Sequence, residues 1–151
     1  MSKNQLQFLW LIAIGIIIIG GIIWYFNSYC FTRQANKILE KTGTKGGFIV
    51  HLGFNDARMT SALHADTSYL VHGLSYKQEV VDKARQYIHD QELYGEVSIE
   101  YWNQKKLPYT DNMVNLLVAE DMGNTSMDEV MRGLAPNGVA YIRQEEGWNK
   151  K

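Results

Sequence analysis

Two histidines and two carboxylates offer the clearest chemistry in this sequence. His51 and His72 stand inside the apolar runs FIVHLG and YLVHGLS, and Glu120 and Asp121 close a third run, MVNLLVAED. An imidazole titrates near neutral pH, and a carboxylate beside it can orient or charge it, so the four could form an acid/base set. They could also hold a metal ion, but their spacing is no metal-ligand signature and no metal is expected. Two plainer readings stand beside these: hydrogen-bonded histidines in a core, and carboxylates that cap the turn after a strand. Tyr94, Tyr101, Trp102 and Tyr109 could stack on a planar ligand or pack a sheet edge. Trp148, in the charged tail EEGWNKK, is either a docking anchor or a flexible terminal residue. The single cysteine, Cys30, excludes both an internal disulfide and a cysteine metal cage.

The elements that must position these groups follow from periodicity. Phe31, Ala35, Ile38 and Leu39 are spaced as one face of a helix over 31–45, with Lys37 and Lys41 on another face. Strands are predicted at 48–53, 69–75, 97–102, 113–121 and 139–144. Helices are predicted at 57–65, 77–91 and 126–134, the last closed by the turn APNG at 135–138. Five strands apolar along nearly their whole length, separated by helices or long connections, indicate a mostly parallel sheet covered on both faces, a doubly wound α/β fold. Ligands of such sheets lie beyond the carboxyl ends of the strands, near the switch point. That rule selects Gly53 to Arg58, Leu74 and Ser75, Trp102 and Asn103, and Glu120 and Asp121.

Ahead of this domain, residues 8–26 read FLWLIAIGIIIIGGIIWYF without a charge, which as a helix is about 28 Å long, one hydrocarbon thickness. Trp10, Trp24 and Tyr25 flank the run as interfacial aromatics do. A transmembrane helix is expected, in contact with the lipid bilayer and uncleaved, because NSYCF lacks the small residues of a signal-peptidase site. Gly15, Gly20 and Gly21 do not make a G-x-x-x-G spacing. Counting Arg33, Lys37, Lys41 and Lys45 against Lys3 puts the domain in the cytoplasm. With 15 Lys+Arg against 16 Asp+Glu in 151 residues, the chain carries no field suited to nucleic acid, and one compact domain is expected.

The order of motifs across residues 35–144 resembles the class I S-adenosylmethionine-dependent methyltransferases. VHLGFNDARMT takes the place of the first-strand glycine loop and VHGLS that of the second strand. KKLPYTDNMVNLLVAED matches the fourth-strand region, and VMRGLAPNGVAYI matches the helix, turn and fifth strand written R-x-L-x-P-G-G. Within that family the chain is most similar to domains that precede a pyrroloquinoline-quinone-type β-propeller in exported bacterial proteins, which implies a periplasmic or otherwise exported domain. The resemblance implies a Rossmann-like methyltransferase fold, here truncated after the fifth strand because the usual antiparallel pair is not seen. It also implies cofactor contacts from Gly53, Asn55, Ala57, Ser75 and Asn103, with Glu120 or Asp121 near the acceptor.

The departures from that pattern matter. His51 replaces the acidic residue before the loop, and of the three glycine places only Gly53 is glycine. Asn55 can reach positive φ at modest cost, whereas Ala57 adds a methyl where close approach is needed. Ser75 stands where a carboxylate would grip both ribose hydroxyls, and Asn103 where an Asp would face the adenine. Contacts weakened by about 1–3 kcal/mol each would move a micromolar affinity toward millimolar. The expectation is three-part: a membrane anchor (1–29), a methyltransferase-like domain (31–144) and a charged tail (145–151). Its role would be that of a non-catalytic structural or interaction subunit of a membrane or envelope assembly, with other subunits as partners and no cofactor. The alternative is a membrane-tethered methyltransferase that uses S-adenosylmethionine.

Overall fold

The computed structural model describes the backbone of residues 3–144 and 147–151 and, of their side chains, all but those at 3–9, 11–13 and 23–28. Its first element, α1 (Lys3–Thr42), is one helix of 40 residues where two were expected. No glycine or proline separates Phe26 from Phe31, so extending the helix costs less than ending it and nucleating another. The helix stops at Gly43, whose φ of 75° and N–H bond to the Leu39 carbonyl (2.9 Å) form a left-handed cap. The expected boundary near residue 30 therefore falls inside a helix.

Trp10, Ile14, Ile16, Ile17, Ile18, Ile19 and Ile22 of α1 are exposed. Among the described residues no helix is long and apolar enough to cross a membrane. Of the apolar run, the side chains at 8, 9, 11–13 and 23–26, including Trp24 and Tyr25, lie outside the described residues.

The rest of the chain alternates strand and helix: β1 (Gly47–Leu52), α2 (Ala57–Leu63), β2 (Tyr69–Ser75), α3 (Gln78–Asp90), β3 (Val97–Tyr101), β4 (Val114–Ala119), α4 (Met127–Gly133), β5 (Leu134–Gln144) and β6 (Gly147–Lys150). The sheet order is β3-β2-β1-β4-β5-β6, with the first five strands parallel and β6 antiparallel to β5. This is a mostly parallel, Rossmann-like methyltransferase fold. It corrects the expected truncation after the fifth strand, because part of the presumed tail closes the edge of the sheet. Trp148 stacks on Tyr141 with centroids 5.1 Å apart and planes 7° apart, so it is a packing residue of that edge. Glu145 and Glu146 lie outside the described residues.

APNG does not end in a loop before the last parallel strand, as expected, but lies within β5. Register passes from Val114↔Leu134 to Leu116↔Val139, so two steps on β4 meet five on β5. Asn137 takes the positive φ (64°) this irregularity needs, and a Cβ on Gly138 would come within 2.7 Å of the Val114 carbonyl oxygen.

Two cores flank the sheet. On one face Ala35, Ile38 and Leu39 of α1, Met59 and Leu63 of α2, and Val81, Ala84 and Ile88 of α3 cover Ile49, Val71, Val97 and Leu116. On the other, Val130 of α4 and Trp102, Leu107 and Tyr109 of the β3–β4 connection cover Val50, Leu52, Leu74 and Leu117. That connection contains no helix, so Leu70 of β2 stays 48% exposed.

α1 runs antiparallel to β1. Its last turn joins the amino end of β1 through residues 43–46, and the Tyr69 hydroxyl at the start of β2 donates to the Thr44 carbonyl (3.2 Å). Eleven residues earlier in the helix, Phe31 lies under the Arg58 guanidinium (4.8 Å), level with the carboxyl end of β1 where α2 begins. Residues 3–30 of α1 thus project past the carboxyl edge of the sheet.

Candidate functional site

The carboxyl ends of β1, β2 and β4 meet at the switch point. Gly53 leaves β1 with φ 67°, and a Cβ placed on it would fall 1.9 Å from the Asp121 carbonyl oxygen. Its glycine character therefore answers to the backbone of the β4 loop, which passes directly beside it. Ala57 is buried in the first turn of α2. Asp56 caps that turn by accepting from Arg58 N–H (2.9 Å) and pairs with the Arg58 guanidinium, which lowers the Asp56 pKa.

Immediately after β2, two residues span this mouth. The Lys77 ammonium donates to Asn55 Oδ1 (2.9 Å) on the β1 loop, and the Tyr76 hydroxyl donates to Asp121 Oδ2 (2.7 Å) beyond β4. Because β1 lies between β2 and β4, the Tyr76–Asp121 bond crosses directly over the end of β1. Asp121 Oδ1 also accepts from Gly123 N–H (2.8 Å). The tyrosine bond, followed by the Gly123 bond, holds the Asp121 carboxyl below its ordinary range, and the same bond raises the Tyr76 phenol.

The predicted cofactor residues are thus near one another but occupied with the protein itself. Ser75 is buried, and its hydroxyl receives only a long bond from Lys77 N–H (3.5 Å). Asn55 faces Lys77, and exposed Asn103 accepts from Lys105 N–H (3.2 Å) in a local turn. S-adenosylmethionine fits these residues poorly: no carboxylate stands at the end of β2, the glycine turn is packed against Asp121, and a polar strap spans the switch point.

The four acid/base candidates divide. His51, fully buried on β1, binds Thr60 Oγ1 through Nδ1 (2.9 Å), and its Nε2 lies 3.3 Å from Glu120 Oε1, near enough for electrostatic contact but not aligned for a hydrogen bond. His72 points to the opposite face of the sheet. There its Nδ1 meets the Tyr109 hydroxyl (2.9 Å) and its Nε2 lies 3.5 Å from Glu100. Burial lowers the His72 pKa, with Glu100 opposing, and burial raises that of Tyr109. The two histidines therefore do not converge, and no group able to hold a metal ion occurs among the described residues. Asp121 has the turn-capping role, whereas Glu120 turns back toward His51. The aromatic set also disperses: Trp102 and Tyr109 are core residues, while Tyr94 and Tyr101 are exposed along the β3 side.

Sequence reasoning overlooked Tyr76, Lys77 and Arg132. The first two directly follow Ser75, within reach of both neighbouring loops, which was the available signal. Arg132, the arginine of the R-x-L-x-P-G-G match, donates to Glu129 (2.6 Å), Asp111 (2.6 Å) and the Tyr109 carbonyl (2.9 Å). It clamps the helix-free β3–β4 connection onto α4, and Glu129 also accepts from Leu107 N–H (2.8 Å). These bonds, Arg132 foremost, bring the Glu129 pKa down to about 2.

No family model matches the sequence, and no curated protein matches it. Solved structures do resemble the fold. A candidate S-adenosyl-L-methionine-dependent methyltransferase from Methanococcus maripaludis has a TM-score of 0.66 at 20% identity, over 74% of this chain and 54% of its own. The [4+2]-cyclase SpnF has a TM-score of 0.65 at 21% identity, over 76% and 46%. A SAM-dependent methyltransferase from Aquifex aeolicus has a TM-score of 0.60 at 18% identity, over 72% and 61%. The chain spans about half the length of the first two of these structures. A cyclase among them is a reminder that this fold does not by itself dictate methyl transfer. At these identities the likeness establishes the fold alone: the chain has the class I fold of the S-adenosylmethionine-dependent methyltransferases.

Proposed function

We propose that this chain is a membrane-anchored, methyltransferase-like domain that has given up catalysis and acts as a structural or interaction subunit of a membrane or envelope assembly. The observation that carries the reading is the strap over the switch point, where Tyr76 and Lys77 tie the β1, β2 and β4 loops to one another with the chain's own groups. The anchor rests on the uncharged run 8–26 and on the exposed isoleucines of α1. The domain stands on the exported side, in keeping with its resemblance to propeller-associated bacterial domains, although the basic residues after the apolar run favour the cytoplasm. Thermal unfolding of the full chain in detergent tests the reading: S-adenosylmethionine at about 100 times a micromolar Kd would add roughly 2.7 kcal/mol of stability to a working site, and an unchanged midpoint is expected.

One observation favours the alternative, a membrane-tethered methyltransferase. Among the described residues two buried side-chain polar atoms lack a hydrogen-bond partner, Trp102 Nε1 and His51 Nε2, and both belong to residues near the carboxyl ends of the strands. A ligand could satisfy them, with Glu120 or Asp121 near the acceptor. A clear rise in the unfolding midpoint with the cofactor would restore this reading.

A further inference from the structure

The direction of α1 relative to the sheet decides which side of the domain meets the bilayer. We propose that the carboxyl-edge face of the sheet, the face carrying the strapped mouth, lies against lipid headgroups, and that Lys105 and Lys106 contact anionic lipid there. The proposal rests on the anchor reading above.

Because α1 is one helix antiparallel to β1, its apolar half projects from the carboxyl edge and not from the amino edge. Phe31, level with that edge, is only five residues beyond Phe26, a rise of about 8 Å. The headgroup layer on each side of the hydrocarbon is roughly 5–7 Å deep, so loops that extend past the end of β1 enter it. No flexible linker allows the domain to stand off or turn over.

Charge on this face agrees with that placement. Arg33 of α1 and Lys105 and Lys106 of the β3–β4 connection are exposed. Of the carboxylates on the same side, Asp56 pairs with Arg58 and Asp121 accepts from Tyr76, while Glu79 and Asp128 stand exposed at the starts of α3 and α4. Lys105 and Lys106, adjacent and both exposed, form a local positive patch on this edge, which suits anionic headgroups.

The test uses the full chain with Cys30→Ser and one new cysteine carrying a fluorophore. Asn124→Cys lies on the carboxyl-edge loop after β4 and Thr67→Cys on the opposite edge before β2, both at exposed positions. Each protein is reconstituted into vesicles of phosphatidylcholine and phosphatidylglycerol containing a headgroup spin-label quencher, and melting of each variant checks its fold. Quenching at 124 is expected to exceed that at 67 by about twofold or more, and Lys105→Glu with Lys106→Glu should reduce it on anionic vesicles. Equal quenching at both positions in protein that floats with the vesicles, or no effect of the two glutamates, overturns the proposal. Protein that does not float overturns the anchor reading and this proposal with it.

Discussion

A methyl group on Gly53 would run into the Asp121 carbonyl oxygen and would also sit at φ 67°. Gly53→Ala is therefore expected to cost about 3 kcal/mol, the sum of left-handed strain and overpacking, measured by urea unfolding. Tyr76→Phe should cost about 0.5 kcal/mol at neutral pH, since the bond it removes is largely exposed. Its pH dependence has a defined sign. Asp121 has a folded pKa below its ordinary 3.8, so the stability it contributes is present above that value and is lost as pH falls through the folded pKa. Wild type and Tyr76→Phe should thus converge in acid, and comparing their unfolding free energies at several pH values checks it. At this scale the sequence revealed the missing features of a cofactor site, at Ser75 and Ala57, better than what replaced them. Hydrogen bonds such as Tyr76 to Asp121 join residues 45 positions apart, and no local pattern encodes them.

Among the elements, the helix-free connection between β3 and β4 depends on α4 through Arg132. Arg132→Ala should free residues 105–113, seen as faster amide exchange there while β1 and β2 stay protected. Glu129, with its pKa lowered from 4.5 to about 2, contributes stability that is complete above 4.5 and is lost as pH falls toward 2. Glu129→Gln should abolish that acid-dependent part of the unfolding free energy. Trp148→Ala should cost about 1 kcal/mol for the lost Tyr141 stack and loosen β6 from the sheet edge. Strands β1, β2 and β4 were legible because buried parallel strands are mostly apolar, and β3 (VSIEY), at the sheet edge, through its alternation. β6 was not, because GWNK has neither alternation nor apolar continuity and is strand only through pairing with β5. The continuous α1 was missed for a related reason: a change of composition near residue 27 was read as a change of element, and helical backbone takes no account of it.

In the whole molecule, the proposed role of a domain that holds a position rests on the uncharged run 8–26 and on the strapped switch point. Membranes from cells expressing the chain should retain it through alkaline carbonate extraction, and release into the supernatant would speak against the anchor. The central claim is that the mouth of the sheet has no working cofactor site. Titration calorimetry of the full chain in nanodiscs with S-adenosylhomocysteine, cross-checked with S-adenosylmethionine, tests it most directly. The account predicts no saturable heat up to about 1 mM ligand; a dissociation constant below about 50 μM, roughly 6 kcal/mol of binding, would contradict it.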